Sequence, residues 1–237
     1  MTDQVTLNIN GRELTVPEGI TVLDAAKSAN IQIPNLCNND ELKPYGSCRL
    51  CMVEATKGKR TRMVASCIYT VVDGLEVKTD TERINNVRKL VVELLLARNP
   101  YHHTVKKLAD DLGIDKSRFK IKNQGCILCG SCIRVCREVV GVSAINYNGR
   151  GHDRKVTTPF DEAPPDCIAC GSCAYICPVD VIPLKEKDGI RKIWNTEFPL
   201  RKCKECGRYV APEKQIEYIC KTTNLPDSHF DTCLHCR

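Results

Sequence analysis

Residues 126–136 read CILCGSCIRVC and residues 167–177 read CIACGSCAYIC, two copies of one spacing, C-x2-C-x2-C-x3-C. The chain has 237 residues, of which 17 are Cys. That is about 7%, several times ordinary usage, and it leaves only about 35% of the chain as ordinary apolar residues. One large hydrophobic core is a poor fit to such a composition, and small cores held together by metal or disulfides fit it better. The N-terminus, Met1-Thr2-Asp3-Gln4, carries no basic segment followed by an apolar one, so no secretory leader is expected. The longest apolar run, Val91 to Ala97, is broken by Glu93 and is far short of the ~18–20 residues of a membrane span. A cytoplasmic location without membrane insertion is the expectation. In a reducing compartment, dense cysteines bind metal or do redox work more often than they pair.

Three cysteines at x2, x2 spacing wrap one cubane cluster, and in two-cluster ferredoxins the fourth cysteine of each run ligates the other cluster. Carried over by position, one [4Fe-4S] cluster takes Cys126, Cys129, Cys132 and Cys177, and the other takes Cys136, Cys167, Cys170 and Cys173. Gly130-Ser131 and Gly171-Ser172 sit between ligands, where the backbone must pass close to a cluster. Pro178 follows the second run as the bacterial pattern asks, while Arg137 stands there in the first. Structural zinc rarely uses this spacing.

Upstream lies a looser group, Cys37, Cys48, Cys51 and Cys67, with Gly46-Ser47 ahead of a C-x2-C pair. It lengthens the first gap of the plant-type pattern but keeps the close pair and a remote fourth cysteine, which points to a [2Fe-2S] cluster. A four-cysteine zinc site is the alternative. Before it, Val5, Leu7 and Ile9 alternate with polar residues, Asn10-Gly11 signals a hairpin, and Leu14 and Val16 resume the alternation. Thr21 is expected to cap a helix over Val22 to Ala29. Strands are expected at Cys51 to Ala55, Arg62 to Ser66 and Leu75 to Lys78. From Thr81 the period becomes helical and stops near Asn99-Pro100; a second amphipathic stretch, Val105 to Leu112, ends at Gly113.

The segments Pro34-Asn35-Leu36-Cys37 and Gly46-Ser47-Cys48-Arg49-Leu50-Cys51-Met52-Val53 resemble the N-terminal [2Fe-2S] domain of the large iron-sulfur subunit of respiratory complex I. They resemble equally the small diaphorase subunits of NAD-linked hydrogenases, as in electron-bifurcating NAD(P)H:ferredoxin oxidoreductase or hydrogenase complexes. The resemblance covers residues 1 to about 190 and implies a beta-grasp fold for the first domain. Relatives often carry a His-x3-Cys-x2-Cys-x5-Cys cluster after the connecting helix. Here His102 and His103 are followed by no cysteine until Cys126, so that cluster is not expected and both histidines are read as surface or capping residues.

Two further knuckles, Cys203-x2-Cys206 and Cys233-x2-Cys236, close the chain. Paired C-x2-C knuckles without the x2, x2 repeat read as a tetrahedral zinc site. Cys220 is left over as a buried thiol or an additional ligand, and His229 and His235 are lesser candidates.

The fold expected is α+β: a plant-type [2Fe-2S] ferredoxin domain over 1–80, a helical connector over 81–120, a 2x[4Fe-4S] ferredoxin-like domain over 121–190 and a small zinc-ribbon-like, Cys-rich tail over 191–237. No dinucleotide fingerprint, P-loop or substrate constellation is evident, so no catalytic site of its own is expected. The reading is a one-electron relay between a flavin-containing NAD(P)H subunit and a second redox partner: a ferredoxin, a hydrogenase, a formate dehydrogenase or a bifurcating flavoprotein. Its cofactors are one [2Fe-2S] cluster, two [4Fe-4S] clusters and one zinc. A zinc-rich nucleic-acid-binding or interaction protein is the alternative, drawing on the formal charge of +6. Four-thiolate sites each near −2 turn that charge to about −2, which favours protein partners over nucleic acid.

Overall fold

The computed structural model describes residues 3–120 and 125–237, so Met1, Thr2 and positions 121–124 of the expected dicluster segment lie outside the described residues. By internal contacts the chain divides into two compact units, Met1–Gly130 and Ser131–Arg237.

In the first unit, β1 (Gln4–Ile9), β2 (Arg12–Pro17), β3 (Met52–Lys57), β4 (Arg60–Ala65) and β5 (Leu75–Lys78) form one sheet in the order β2-β1-β5-β3-β4. The β1–β2 turn is Asn10-Gly11, both at positive φ (55° and 87°), as a two-residue hairpin turn requires. Leu7, Ile9, Val53, Ala55, Leu75 and Val77 alternate inward and meet Val22, Leu23, Ala25 and Ala26 of α1 (Val22–Ser28). Each large side chain so buried stabilises the fold by roughly 1.5–3 kcal/mol relative to exposure, which suffices for a small core. Thr21 caps α1 by accepting from the Asp24 N–H, as its sequence position predicts.

Thr81 likewise caps α2 (Glu82–Arg98), accepting from the Ile84 N–H at 3.2 Å, and the helix stops at Asn99 ahead of Pro100. Ile84, Val92, Leu95 and Leu96 bury one face; Arg88 on that same face is also buried. His102 caps α3 (His103–Asp111) with its ring, accepting from the Thr104 N–H, which realises its capping role.

The second unit begins with α4 (Ser131–Arg134), which widens into a turn over residues 135–139 closed by the Val140 N–H on the Val135 carbonyl, an i to i+5 bond. The insertion after Cys136 is a hairpin of β6 (Asn146–Asn148) and β7 (Lys155–Thr157). After α5 (Ser172–Tyr175), β8 (Lys185–Lys187), β9 (Ile190–Ile193), β10 (Thr196–Lys202) and β11 (Tyr209–Pro212) make a four-stranded sheet, followed by α6 (Glu213–Thr223). The segment between the terminal knuckles is therefore a strand and a helix. Among the described residues no helix is long and apolar enough to cross a membrane.

Candidate functional site

Cys37, Cys48, Cys51 and Cys67 are all buried in the first unit. The close turn that carries two of them begins at Gly46, whose φ of 69° favours glycine; an added Cβ would stand 2.9 Å from the end of the exposed Ile68 side chain, which would have to move aside. The Cys48 N–H points to the Cys37 sulfur at 3.4 Å and the Leu36 N–H to the Cys48 sulfur at 3.5 Å, donors of the kind that stabilise sulfur ligands. The thiols crowd one another and divide the charge. Hydrogen bonds from the Cys48 and Cys67 thiols hold Cys37 far below the usual thiol range, and one from Cys67 brings Cys51 to about 6. Cys48 and Cys67, as the donors, are pushed upward. Four buried sulfurs that cannot all ionise together need a cation to do so, and the donor set fits iron.

Behind this turn, Arg88 donates from Nε to the Leu50 carbonyl (3.1 Å) and from Nη2 to the Met52 carbonyl (3.0 Å), bracketing Cys51. Burial pulls the Arg88 pKa down, against the countervailing charges of Asp80 and Cys51. A buried guanidinium is costly unless compensated, and a thiolate-rich site supplies that compensation. Nothing in the helical periodicity singled out Arg88, since it occupies a face read as apolar.

Cys126 and Cys129 also lie in the first unit. Their loop is clamped to the end of α2: Arg98 Nε donates to the Cys126 carbonyl at 2.9 Å and Asn99 Nδ2 to the Gly125 carbonyl at 2.8 Å. Ser47 Oγ reaches the Leu128 carbonyl at 3.4 Å, so the loop carrying Cys48 touches the loop carrying Cys129.

Cys132 and Cys177 lie in the second unit. There, Cys136, Cys167, Cys170 and Cys173 line a single cavity together with Val142, Ala144, Ile145, Ile193 and Trp194. This is the set the repeat assigns to one cluster. Backbone N–H groups face its sulfurs: Ala144 to Cys136 at 3.3 Å and Ala169 to Cys167 at 3.4 Å. The Leu128 N–H repeats the second of these contacts on Cys126 at 3.4 Å, and both donors sit in left-handed backbone, Leu128 at φ 55° and Ala169 at φ 56°. Burial pushes Cys136 and Cys167 up and Cys173 to about 12. An apolar pocket that disfavours bare thiolates suits a group bringing its own positive charge.

In the tail, the sulfurs of Cys203, Cys206, Cys233 and Cys236 all lie within 4.8 Å of one another. Among the described residues no other group of three or more Cys, His, Asp or Glu ligand atoms is that tight. Cys206 and Cys233 are 3.6 Å apart, close to the ~3.8 Å edge of a tetrahedron with metal–sulfur bonds of about 2.3 Å. Backbone N–H groups of Cys206 and Cys233 lower Cys203 to about 6; the His235 N–H lowers Cys233; thiol contacts from Cys206 and Cys233 push Cys236 up to about 12. Lys204 stitches the two knuckles together by an ion pair to Asp231 at 2.6 Å. Cys220 lies outside this set on α6, and the His229 ring is engaged by Arg237 at 2.6 Å.

Residues 2–82 match the family model of the 2Fe-2S iron-sulfur cluster binding domain, and residues 125–181 match the 4Fe-4S dicluster domain. The NADH-ubiquinone oxidoreductase 78 kDa subunit of Candida albicans is 29% identical over 65% of this chain and 25% of its own length. An NADH-quinone oxidoreductase component of Rickettsia felis is 30% identical over 75% of this chain and 30% of its own. The chain thus spans about a quarter to a third of the curated relatives it matches. A crystal structure of an NAD+-reducing [NiFe]-hydrogenase in the H2-reduced state contains a chain 29% identical, with a TM-score of 0.64, covering 74% of this chain and 85% of that one.

Proposed function

We propose that this chain, which carries a 2Fe-2S binding domain and a 4Fe-4S dicluster domain homologous to subunits of NADH-quinone oxidoreductases, is a one-electron relay inside a larger oxidoreductase. Electrons pass between a flavin-containing NAD(P)H-oxidising subunit and a second redox partner, which fits the cytoplasmic, non-membrane expectation. The observation that carries the reading is the convergence of Cys136, Cys167, Cys170 and Cys173, drawn from both copies of the repeat, on one cavity.

Cys37, Cys48, Cys51 and Cys67 would hold the [2Fe-2S] cluster; Cys126, Cys129, Cys132 and Cys177 one [4Fe-4S] cluster; and Cys136, Cys167, Cys170 and Cys173 the other. Such clusters supply reversible one-electron storage at potentials set by ligands, hydrogen bonds and exposure. The chain's own residues do the tuning. The Leu36, Cys48, Leu128, Ala144 and Ala169 N–H groups donate toward sulfur, and Arg88 places a buried positive charge beside Cys51. The Ser47–Leu128 contact brings the first two ligand loops within one hydrogen bond, the kind of proximity electron exchange needs.

For the tail we propose a structural zinc ion on Cys203, Cys206, Cys233 and Cys236, supported by the tetrahedral spacing of the sulfurs. Anaerobically purified protein should contain about ten iron and one zinc per chain and give electron paramagnetic resonance signals from one [2Fe-2S] and two [4Fe-4S] centres on reduction. A colourless protein with about four zinc and no iron refutes the relay and favours the zinc-protein alternative.

A further inference from the structure

Trp194 is the single tryptophan of the chain. It lines the cavity of Cys136, Cys167, Cys170 and Cys173. It also lines a second, outward groove with Pro183, Lys185 and Lys192. Trp194 and the buried Ile193 beside it are thus common to the sulfur-lined cavity and the outward groove, and of the two Trp194 is the more exposed.

Two features of this groove work against folding. Trp194 and Asn195 form the two-residue β9–β10 turn, both at positive φ (51° and 57°). Asparagine suits such a turn, whereas a bulky aromatic in left-handed backbone is strained. Lys185 and Lys192 are both exposed and stand directly opposite each other across the antiparallel β8–β9 pair, a like-charge arrangement that destabilises a sheet. Glu197 approaches Lys192 at 3.1 Å and answers one of the two charges. An apolar centre of Pro183 and Trp194 with a basic rim has the anatomy of a protein-docking patch for an oppositely charged partner.

We propose that this groove is the docking and electron-exchange port for an acidic one-electron carrier protein, with Trp194 as the contact between carrier and sulfur-lined cavity. It rests on the relay reading and adds the partner's chemistry and its place of contact. One electron is exchanged between the carrier and the iron held by the Cys136, Cys167, Cys170 and Cys173 set: whichever side gives it is oxidised by one, the other is reduced by one, and no bond or proton moves. The lysine pair steers the encounter, so the association is sensitive to ionic strength.

The test uses the full, cluster-loaded chain, with an acidic bacterial ferredoxin as probe and basic cytochrome c as the opposite-charge probe. Affinity is read by calorimetry across a salt series. K185E/K192E should weaken ferredoxin binding at least tenfold at low salt and flatten its salt dependence, K185Q/K192Q should fall between that variant and the wild type, and K59E on the β3–β4 turn should stay within twofold. Cytochrome c should bind the wild type more weakly than ferredoxin does. Trp194→Ala, which removes the apolar centre of the groove, should weaken ferredoxin binding at least tenfold and leave the salt dependence in place. Equal ferredoxin affinity in wild type and K185E/K192E, or preference for cytochrome c, overturns the port; unchanged affinity in Trp194→Ala overturns the role of the indole. A chain without iron overturns the relay itself, an outcome distinct from both.

Discussion

The two copies of the cysteine run share their glycines, serines and spacing, yet the helical turns between their last two cysteines face opposite worlds. In α4, Ser131, Cys132, Ile133 and Arg134 are all buried, with Arg134 only 2% exposed. In α5 the residue at the position of Arg134 is Tyr175, which is 77% exposed. The repeat therefore specifies how sulfur is presented, while the surroundings decide what each copy shows to the outside. Burial of the first copy continues through Val135 and Cys136, while the rest of the widened turn is exposed and its end is held from α6 by the Tyr218 hydroxyl donating to the Val140 carbonyl at 2.9 Å.

The largest effects should come from the cysteines, and they test whether the copies exchange ligands. If the fourth cysteine of each run serves the other cluster, Cys136→Ala and Cys173→Ala remove the same [4Fe-4S] centre and leave identical residual spectra. Cys132→Ala and Cys177→Ala then leave the other. Each variant should lose about four iron per chain while keeping the [2Fe-2S] signal. Pairing of Cys136→Ala with Cys132→Ala instead would refute cross-ligation.

Next in size is the contrast between the equivalent positions in the two helical turns. Arg134→Ala should destabilise the chain by about 2–4 kcal/mol, because it empties a packed volume and strands whatever the guanidinium satisfies. Tyr175→Ala should stay within about 0.5 kcal/mol, as is usual for exposed residues away from special features. Chemical denaturation followed by cluster absorbance measures both. Comparable losses at the two positions would mean that the burial asymmetry has no energetic weight.

How much of this was legible beforehand follows from the range of the interaction. Asn10-Gly11, Thr21 and Thr81 act on neighbours a few residues away, so the hairpin and both helix starts could be read from sequence. The cysteine runs were legible for the same reason. Arg88 was not, because it sits at a helix position whose period reads apolar and its partners, the Leu50 and Met52 carbonyls, lie far upstream. Trp194 was not, because a tryptophan in a tight turn contradicts local propensity, and only the fold shows that it lines the cavity of Cys136, Cys167, Cys170 and Cys173. The four tail cysteines were legible as a group, whereas their tight sulfur spacing belongs to the tertiary structure alone.

A smaller effect is expected where α6 holds the first copy. Tyr218→Phe keeps the ring and removes one hydrogen bond to the Val140 carbonyl, which should cost about 1 kcal/mol. The iron content should remain that of the wild type, since no cysteine is touched. A loss of iron in this variant would mean that the α6 contact is needed to assemble the first copy at all.

The smallest effect has the opposite sign. Leu128 and Ala169 occupy corresponding places in the two runs and both hold left-handed backbone so that their N–H groups can face a cysteine sulfur. A non-glycine residue there carries about 1 kcal/mol of strain, and glycine relieves it while loosening the unfolded chain. Ala169 is 1% exposed and loses only a methyl group on becoming glycine. Ala169→Gly should therefore stabilise by up to about 0.5 kcal/mol, whereas β-branched Ala169→Val should destabilise by about 2 kcal/mol and weaken the N–H contact to Cys167. Leu128→Gly gains the same backbone relief but gives up a larger side chain, so it should be nearly neutral. If Ala169→Gly destabilised as much as Ala169→Val, the methyl group would matter through packing, and the backbone argument for the matched turns would fail.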